Sequence, residues 1–268
     1  MDLPNLTEVR RPTSRSQLGL SAAVVPLAGG TWLYSEPQPH LTGLVDLTAL
    51  GWSPWEARPD GGLSIAATCT IAQLVAIPAS AARRATPLVR QSAESLLQSF
   101  KVWNTATVGG NIATALAAGA LIGLGGALDA ELVVWTPDGG ERRQRVADFV
   151  LGERRTTALP GEVIRSIEVA PGPLDAVTAF RRIALTPLGR AGTVLAARRD
   201  PDGAVVLCVT GGTTRPEVLR FAAPPTADLL RAAVERIGTW FTDAHGAADW
   251  RRAMTLRLAE EIRQELAA

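Results

Sequence analysis

The order of elements along the chain predicts an α+β fold. Strands and helices mix through residues 1–170, a Pro- and Gly-containing segment "PGPLDA" follows at 171–176, and an antiparallel meander and then two helices complete the chain. Strict βα alternation would mean a doubly wound sheet, whereas a meander followed by helices points to antiparallel sheet covered on one side.

The elements follow from local patterns. "VRRPTSRSQLGLS" predicts a short N-terminal helix capped by Thr13 or Ser14. "AAVVPLA" reads as a buried strand that runs into the glycines of "LAGGT", and residues 44–47 as a second short strand. "WSPWEARPDG" is rich in breakers (Pro54, Pro59, Asp60, Gly61) and reads as turns. "GLSIAATCT" is a strand, and residues 70–100 are mostly helical with interruptions at Pro78 and Pro87. "TATVGGNIATA" leads into an uncharged small-residue helix over 111–128. That stretch is long enough to span a bilayer. Its Ala and Gly content, and the Asp129 that follows, suit a helix packed inside a globule better. Trp135 closes a strand, Asp138, Gly139 and Gly140 turn, and residues 142–146 return. "ALPGEVIRSIEVA" gives a turn and another strand. Beyond the expected linker at 171–176, "AVTAFRRIAL", "TVLAARRDPDGAVVLCVTGG" and "RPEVLRFA" form the meander, with a turn at 200–203. Helices are expected over 226–241 and 247–266, the second carrying an apolar stripe of Trp250, Met254, Leu258 and Ile262.

Composition excludes several functions. With 268 residues, 47% of them hydrophobic, the chain can bury a substantial core. Its net charge of +1, with Lys101 the sole lysine, leaves no basic footprint for nucleic acid or anionic lipid. Cys69 and Cys208 stand apart in strand-like runs, as buried thiols, and cannot supply the about four thiolates of an iron–sulfur cluster. His40 and His245 lack metal-ligand spacing, so no metal site is expected. The N-terminal residues carry no apolar leader segment, and a cytoplasmic protein without a membrane span is expected.

The chemistry-bearing features are "LAGGT" at 27–31 and "TVGGN" at 107–111. Each follows an apolar run and sets a hydroxyl or amide side chain beside two glycines. Glycine admits positive φ and has no Cβ, so successive backbone N–H groups can converge on a phosphate oxygen. The second loop also opens a helix, whose N-terminus favours negative charge. Two such loops could cradle the two phosphates of one pyrophosphate. Neither matches the dinucleotide fingerprint G-x-G-x-x-G or the P-loop, and a lone Gly-Gly pair is commonly only a tight turn, as "GGALDA" and "TGGTT" illustrate.

In their order and surroundings, "PLAGGTWL", "GGLSIAATCTIAQL", "NTATVGGNIATA", "LDAELVVWTPDGGERRQRVADFVLG", "LPGEVIRSIEV", "AFRRIAL" and "VTGGTTRPEVLR" resemble the FAD-binding medium subunit of the molybdenum hydroxylases. These enzymes include xanthine dehydrogenase, carbon monoxide dehydrogenase and aldehyde oxidoreductases. The resemblance implies a two-part FAD-binding region of the vanillyl-alcohol-oxidase type over 1–172, with subdomains at about 1–55 and 56–172. A sheet-plus-helices domain over 173–268 would follow. It implies a first pyrophosphate loop of Ala28, Gly29, Gly30, Thr31 and Trp32 flanked by Leu27 and Leu33, and a second of Ala106, Thr107, Gly110, Asn111, Ala113 and Thr114. Ala158 would lie against the flavin region, and Phe180 and Arg181 would approach the isoalloxazine, where the arginine's charge would favour the reduced ring. The chain departs from the family pattern at Ala120, where an acidic residue is common, at Trp103, where a basic one is, and in lacking a "G-D" pair within "ALTPLGRAG".

The resemblance further implies an electron-transfer role. A large subunit would carry molybdenum cofactor, a small one two [2Fe–2S] clusters, and FAD in this chain would pass electrons to NAD, oxygen, a quinone or a carrier protein, the three chains forming a heterotrimer. No catalytic acid or base is then needed in this chain. Two alternatives remain at the level of sequence: a self-contained FAD-dependent oxidase or reductase, and a scaffold subunit that has lost FAD.

Overall fold

The computed structural model describes residues 3–96 and 99–267. Three strands, β1 (Glu8–Arg10), β2 (Val24–Leu27) and β3 (Gly43–Asp46), form a small parallel sheet in the order β1-β3-β2. The aliphatic β3 lies at its centre, with Leu44 and Val45 wholly buried. Next come β4 (Trp55–Ala57) and β5 (Leu63–Ala66), the helices α1 (Ile71–Val75), α2 (Ala79–Ala82), α3 (Thr86–Glu94), α4 (Phe100–Trp103), α5 (Val108–Thr114) and α6 (Ala120–Ala127), and the hairpin β6 (Glu131–Trp135) and β7 (Glu141–Arg145). A turn of helix α7 (Val146–Phe149), a tight hairpin β8 (Val150–Gly152) and β9 (Arg155–Thr156), and the long strand β10 (Val163–Val169) complete this part. An antiparallel sheet of order β4-β5-β10-β6-β7 results. Trp52 and Trp135 meet edge to face at 5.3 Å, and Arg165, at a bulge in β10, stacks on Trp52 at 4.3 Å. This contact joins the small sheet to the large one.

The helix α8 (Pro171–Asp175) leads to the meander β11 (Val177–Ile183), β12 (Thr193–Arg199), β13 (Val205–Thr210) and β14 (Glu217–Phe221), and then to α9 (Ala227–Glu235) and α10 (Ala248–Ala267). Both faces of the meander are covered. One packs on α9 and α10 through Leu195, Leu207, Val209, Val234 and Ile262. The other packs on α6, placing Ala196 and Cys208 in the same core as Leu121, Leu124 and Phe149. Every residue of α6 is buried, and its small side chains are what let it sit there. A Cβ on Gly126 would lie 2.5 Å from Cys208 Sγ, and one on Gly125 2.8 Å from Val146. Burial pushes both cysteine thiols up to about 12, so they are inert packing groups.

The structure departs from the sequence reading at definite places. The small-residue helix is two helices, because Ala115 adopts a left-handed conformation (φ 51°) and the chain turns before Gly119 caps α6. The segment "PGPLDA" is no loose linker: it forms α8, buries Leu174 and ties Asp175 to Arg83 at 2.7 Å. The N-terminal helix is a single 3-10 turn at Arg15–Gln17, capped by no side chain, although Thr13 bonds Gln17. The turn-rich "WSPWEARPDG" contains β4, and β1, α7 and the β8–β9 hairpin have no sequence forecast. The ninth helix stops at Glu235, and Trp240 instead bridges to Thr213. On α10 the stripe rotates. A spacing of four overshoots the 3.6-residue turn, so the buried face passes through Arg251, Thr255, Leu258, Ala259, Ile262 and Leu266, leaving Trp250 and Met254 half-buried. The part of the helical stretch at residues 97–98 lies outside the described residues. No helix among those described is long and apolar enough to cross a membrane.

One ion-pair cluster fastens the meander to the end of α6. Asp129 accepts from Arg198 at 2.7 Å and from Arg220 at 2.9 Å, and Arg198 is nearly fully buried. Burial alone would raise the Asp129 pKa, but the hydrogen bonds and charges of Arg220 and Arg198 outweigh it and hold it at about 2, against an ordinary 3.8. The stabilisation is therefore full above about pH 4 and is lost as pH falls toward 2. Asp129→Asn should lower the unfolding free energy near neutral pH by about 2 kcal/mol, since it removes the carboxylate shared by Arg198 and Arg220 and leaves Arg198 paired with Asp200 alone. The gap to the native chain should shrink below about pH 4, which urea titrations across that range would show.

Candidate cofactor cleft

A cleft of about 550 Å³ opens between the small parallel sheet and the large antiparallel one. That size suits a cofactor or a drug-sized ligand. Both glycine loops line it. From the first come Leu27, Ala28, Gly29, Gly30, Thr31, Trp32 and Leu33; from the second, Ala106, Thr107, Gly110, Asn111, Ala113 and Thr114; and Ala158 joins them from beyond β9.

Two close approaches fix the loops. Gly29 lies against the second loop, where a Cβ would sit 1.9 Å from the Thr105 carbonyl oxygen. Gly30 has φ +67°, and a Cβ there would meet the Tyr34 ring at 2.5 Å. On the other side, Gly109 rests on Ala67 at the end of β5, with its N–H donated to the Ala67 carbonyl at 2.9 Å.

The two loops differ in what they leave free. In the first, carbonyls are used and amides are not. Tyr34 N–H donates to Gly30 O, and Ser35 donates to Trp32 O from both N–H and Oγ. The N–H groups of residues 29–33 have no protein acceptor among the described residues. The second loop consumes its own amides. Val108 N–H donates to Cys69 O, Gly109 to Ala67 O, Gly110 to Thr107 Oγ1 and Asn111 to Thr107 O. Its free donors among the described residues are the Thr107 hydroxyl and Asn111 Nδ2, the Oδ1 of that amide already accepting from Leu121 N–H at 3.2 Å. The symmetric cradle expected from sequence, with each loop offering a run of amides, is thus realised on one side only. Helix α5 spends its first amides on the chain that packs against it.

The cleft is otherwise apolar and electrically neutral. Val102, Leu116, Val134, Phe149, Val163 and Ile164 form its walls. Glu162 is the one charged side chain among the described lining residues. Arg142 grips it with two bonds of 2.7 and 2.6 Å, and Leu159 N–H adds a third. The Arg142 hydrogen bond leads the effects that lower the Glu162 pKa, so it stays a neutralised carboxylate.

Residues 11–171 match the family described as the FAD binding domain in molybdopterin dehydrogenase. The chain belongs to this family. Solved structures share the fold over essentially the whole chain. A reconstituted CO dehydrogenase from Oligotropha carboxidovorans superposes with a TM-score of 0.84 at 20% identity over 98% of both chains. A CO dehydrogenase from Hydrogenophaga pseudoflava lacking the Mo-pyranopterin moiety gives 0.82 at 23% identity, again over 98% of both. Quinoline 2-oxidoreductase from Pseudomonas putida 86 gives 0.77 at 20% over the full length of both. No curated protein matches the chain.

The residues present fit FAD. An anion would meet unpaired amides at the first loop, where Gly29 and Gly30 carry no Cβ, and a ring system would meet apolar walls. Phe180 and Arg181, in contrast, are not brought to the cleft of this FAD-binding chain. As neighbours in β11 they face opposite ways. Phe180 packs on the main core, and Arg181 pairs with Glu261 at 3.2 Å and Glu265 at 2.7 Å on α10. Ala120 is buried at the start of α6, and Trp103 packs on the core with its indole N–H buried and without a partner among the described residues. Sequence reasoning missed Ala67, Gly109, Thr156, Glu162 and the wall residues. Gly109 was legible as half of a glycine pair, while the aliphatic walls carry no signal that separates them from ordinary core.

Gly29→Ala forces the two loops apart against backbone rather than against a yielding side chain. The substitution should cost about 2 kcal/mol and lower the melting midpoint by roughly 5 °C. It should also weaken FAD retention, and differential scanning fluorimetry with flavin absorbance would read both.

Proposed function

We propose that this chain is the FAD-carrying electron-transfer subunit of a cytoplasmic, heteromeric molybdenum hydroxylase. Family membership supports an oxidoreductase role, and the observation that carries the site is the run of unpaired amides at residues 29–33 beside a neutral, apolar cleft. These amides, with the Thr31 hydroxyl and Asn111 Nδ2, would hold the pyrophosphate. The aliphatic walls would exclude water from the ring, and Glu162, already neutralised by Arg142, would add no charge against the phosphates. When bound, FAD supplies a ring able to take up and pass on electrons singly or in pairs.

The chain needs no acid–base pair for that work. Its partners would be a large subunit with molybdenum cofactor and a small one with two [2Fe–2S] clusters, and the acceptor an external one such as NAD, oxygen, a quinone or a carrier protein. Two of the structural relatives are molybdenum enzymes by their descriptions, a Cu,Mo-CO dehydrogenase and one lacking the Mo-pyranopterin moiety. An intact cleft speaks against a scaffold that has lost its flavin.

Purification from the native host tests this reading. The chain should bring down stoichiometric flavin, molybdenum and iron in one complex. Gly30→Val should give a folded chain without FAD, because the left-handed backbone and the Tyr34 contact disturb only the loop. Flavin retained at one per chain in that variant, or a complex with flavin but no molybdenum and iron, would contradict it.

A further inference from the structure

The cleft as built has an electrostatic gap. A pyrophosphate is a dianion, and hydrogen bonds to neutral amides leave its charge uncompensated. The lining contributes no cation among the described residues, and Arg142 is committed to Glu162.

One arginine stands at the edge of this site without an acidic partner among the described residues. Arg154 forms the tip of the β8–β9 hairpin, with the left-handed φ of 56° that such a tight turn demands. Its backbone N–H donates to the Ala115 carbonyl at 2.8 Å, and the residues on either side of Ala115, Thr114 and Leu116, both line the cleft. Its guanidinium stacks over the Trp32 ring at 5.5 Å, and Trp32 belongs to the first loop and also lines the cleft. Arg154 therefore touches the first loop with its side chain and the end of α5 with its backbone. An exposed guanidinium held on an aromatic face keeps its charge and all its donors available.

We propose that Arg154 is the cation of the cofactor site: stacked on Trp32, it supplies the positive charge for the pyrophosphate that the glycine loops lack. This rests on the reading of the cleft as a pyrophosphate site. It also gives Trp32 a role as the platform that holds the guanidinium over the loop. Charge-assisted hydrogen bonds are the stronger kind, and their strength falls with added salt where they are exposed.

The test uses the full-length chain stripped of flavin and titrated with FAD and with riboflavin, which lacks phosphates, at low and moderate salt. Arg154→Gln should weaken FAD binding about tenfold, flatten its salt dependence and leave riboflavin binding unchanged. Arg154→Lys should restore part of the loss. Arg155→Gln, the same charge change one residue along, should leave both ligands as in the native chain. Equal weakening of FAD and riboflavin by Arg154→Gln would reveal a structural role and overturn the proposal, as would unaltered FAD binding in that variant. If Gly30→Val also binds FAD as tightly as the native chain, the pyrophosphate reading falls and Arg154 with it. FAD lost in Gly30→Val but unaffected in Arg154→Gln overturns the assignment of Arg154 alone.

Discussion

The backbone of Gly29 lies against the carbonyl of Thr105 with no space for one further carbon atom, and the candidate cofactor cleft is built around that contact. It brings together two loops more than seventy residues apart in sequence. The same device operates behind the site. Helix α6 reaches the meander because Gly126 and Gly125 let it lie directly on Cys208 and Val146. The glycine pairs in this chain therefore do different things. One lets two loops meet at the cleft, one seats a loop on a strand end, and one packs α6 against the meander.

The chemistry of the cleft follows from where its backbone hydrogen bonds go. Buried amides nearly always find acceptors. Those of the second loop find them in Cys69, Ala67 and Thr107, so that loop is rigid and self-satisfied. Those of residues 29–33, in a half-exposed loop, have no protein acceptor among the described residues, and a loop whose carbonyls are engaged while its amides are free is suited to receive an anion. With Glu162 neutralised and the walls apolar, the protein would contribute position, exclusion of water and local field, and a bound flavin would supply the redox chemistry.

Much of this was legible in the sequence, for physical reasons. Aliphatic runs between breakers gave most of the strands of the large sheet and the meander, Asp138, Gly139 and Gly140 gave a hairpin turn, and the two glycine loops fell where the cleft is. What escaped was set by tertiary contacts. The break between α5 and α6 is made by Ala115 in a conformation that glycine usually marks. Two of the spent amides of the second loop, Val108 and Gly109, depend on residues about forty positions earlier. The family resemblance places Phe180 and Arg181 near the ring, but a strand sends neighbours to opposite faces, and in this chain Arg181 is claimed by Glu261 and Glu265. The stripe on α10 shifted because its spacing was four rather than 3.6.

Amide hydrogen exchange on the full-length chain, with and without saturating FAD, measures the unequal loops directly. The N–H groups of residues 29–33 should exchange near the unprotected rate in the stripped chain and slow markedly when FAD binds, while those of residues 109–111 should be protected in both states. Unchanged exchange at residues 29–33 on binding FAD, or new protection confined to residues 109–111, would contradict the account.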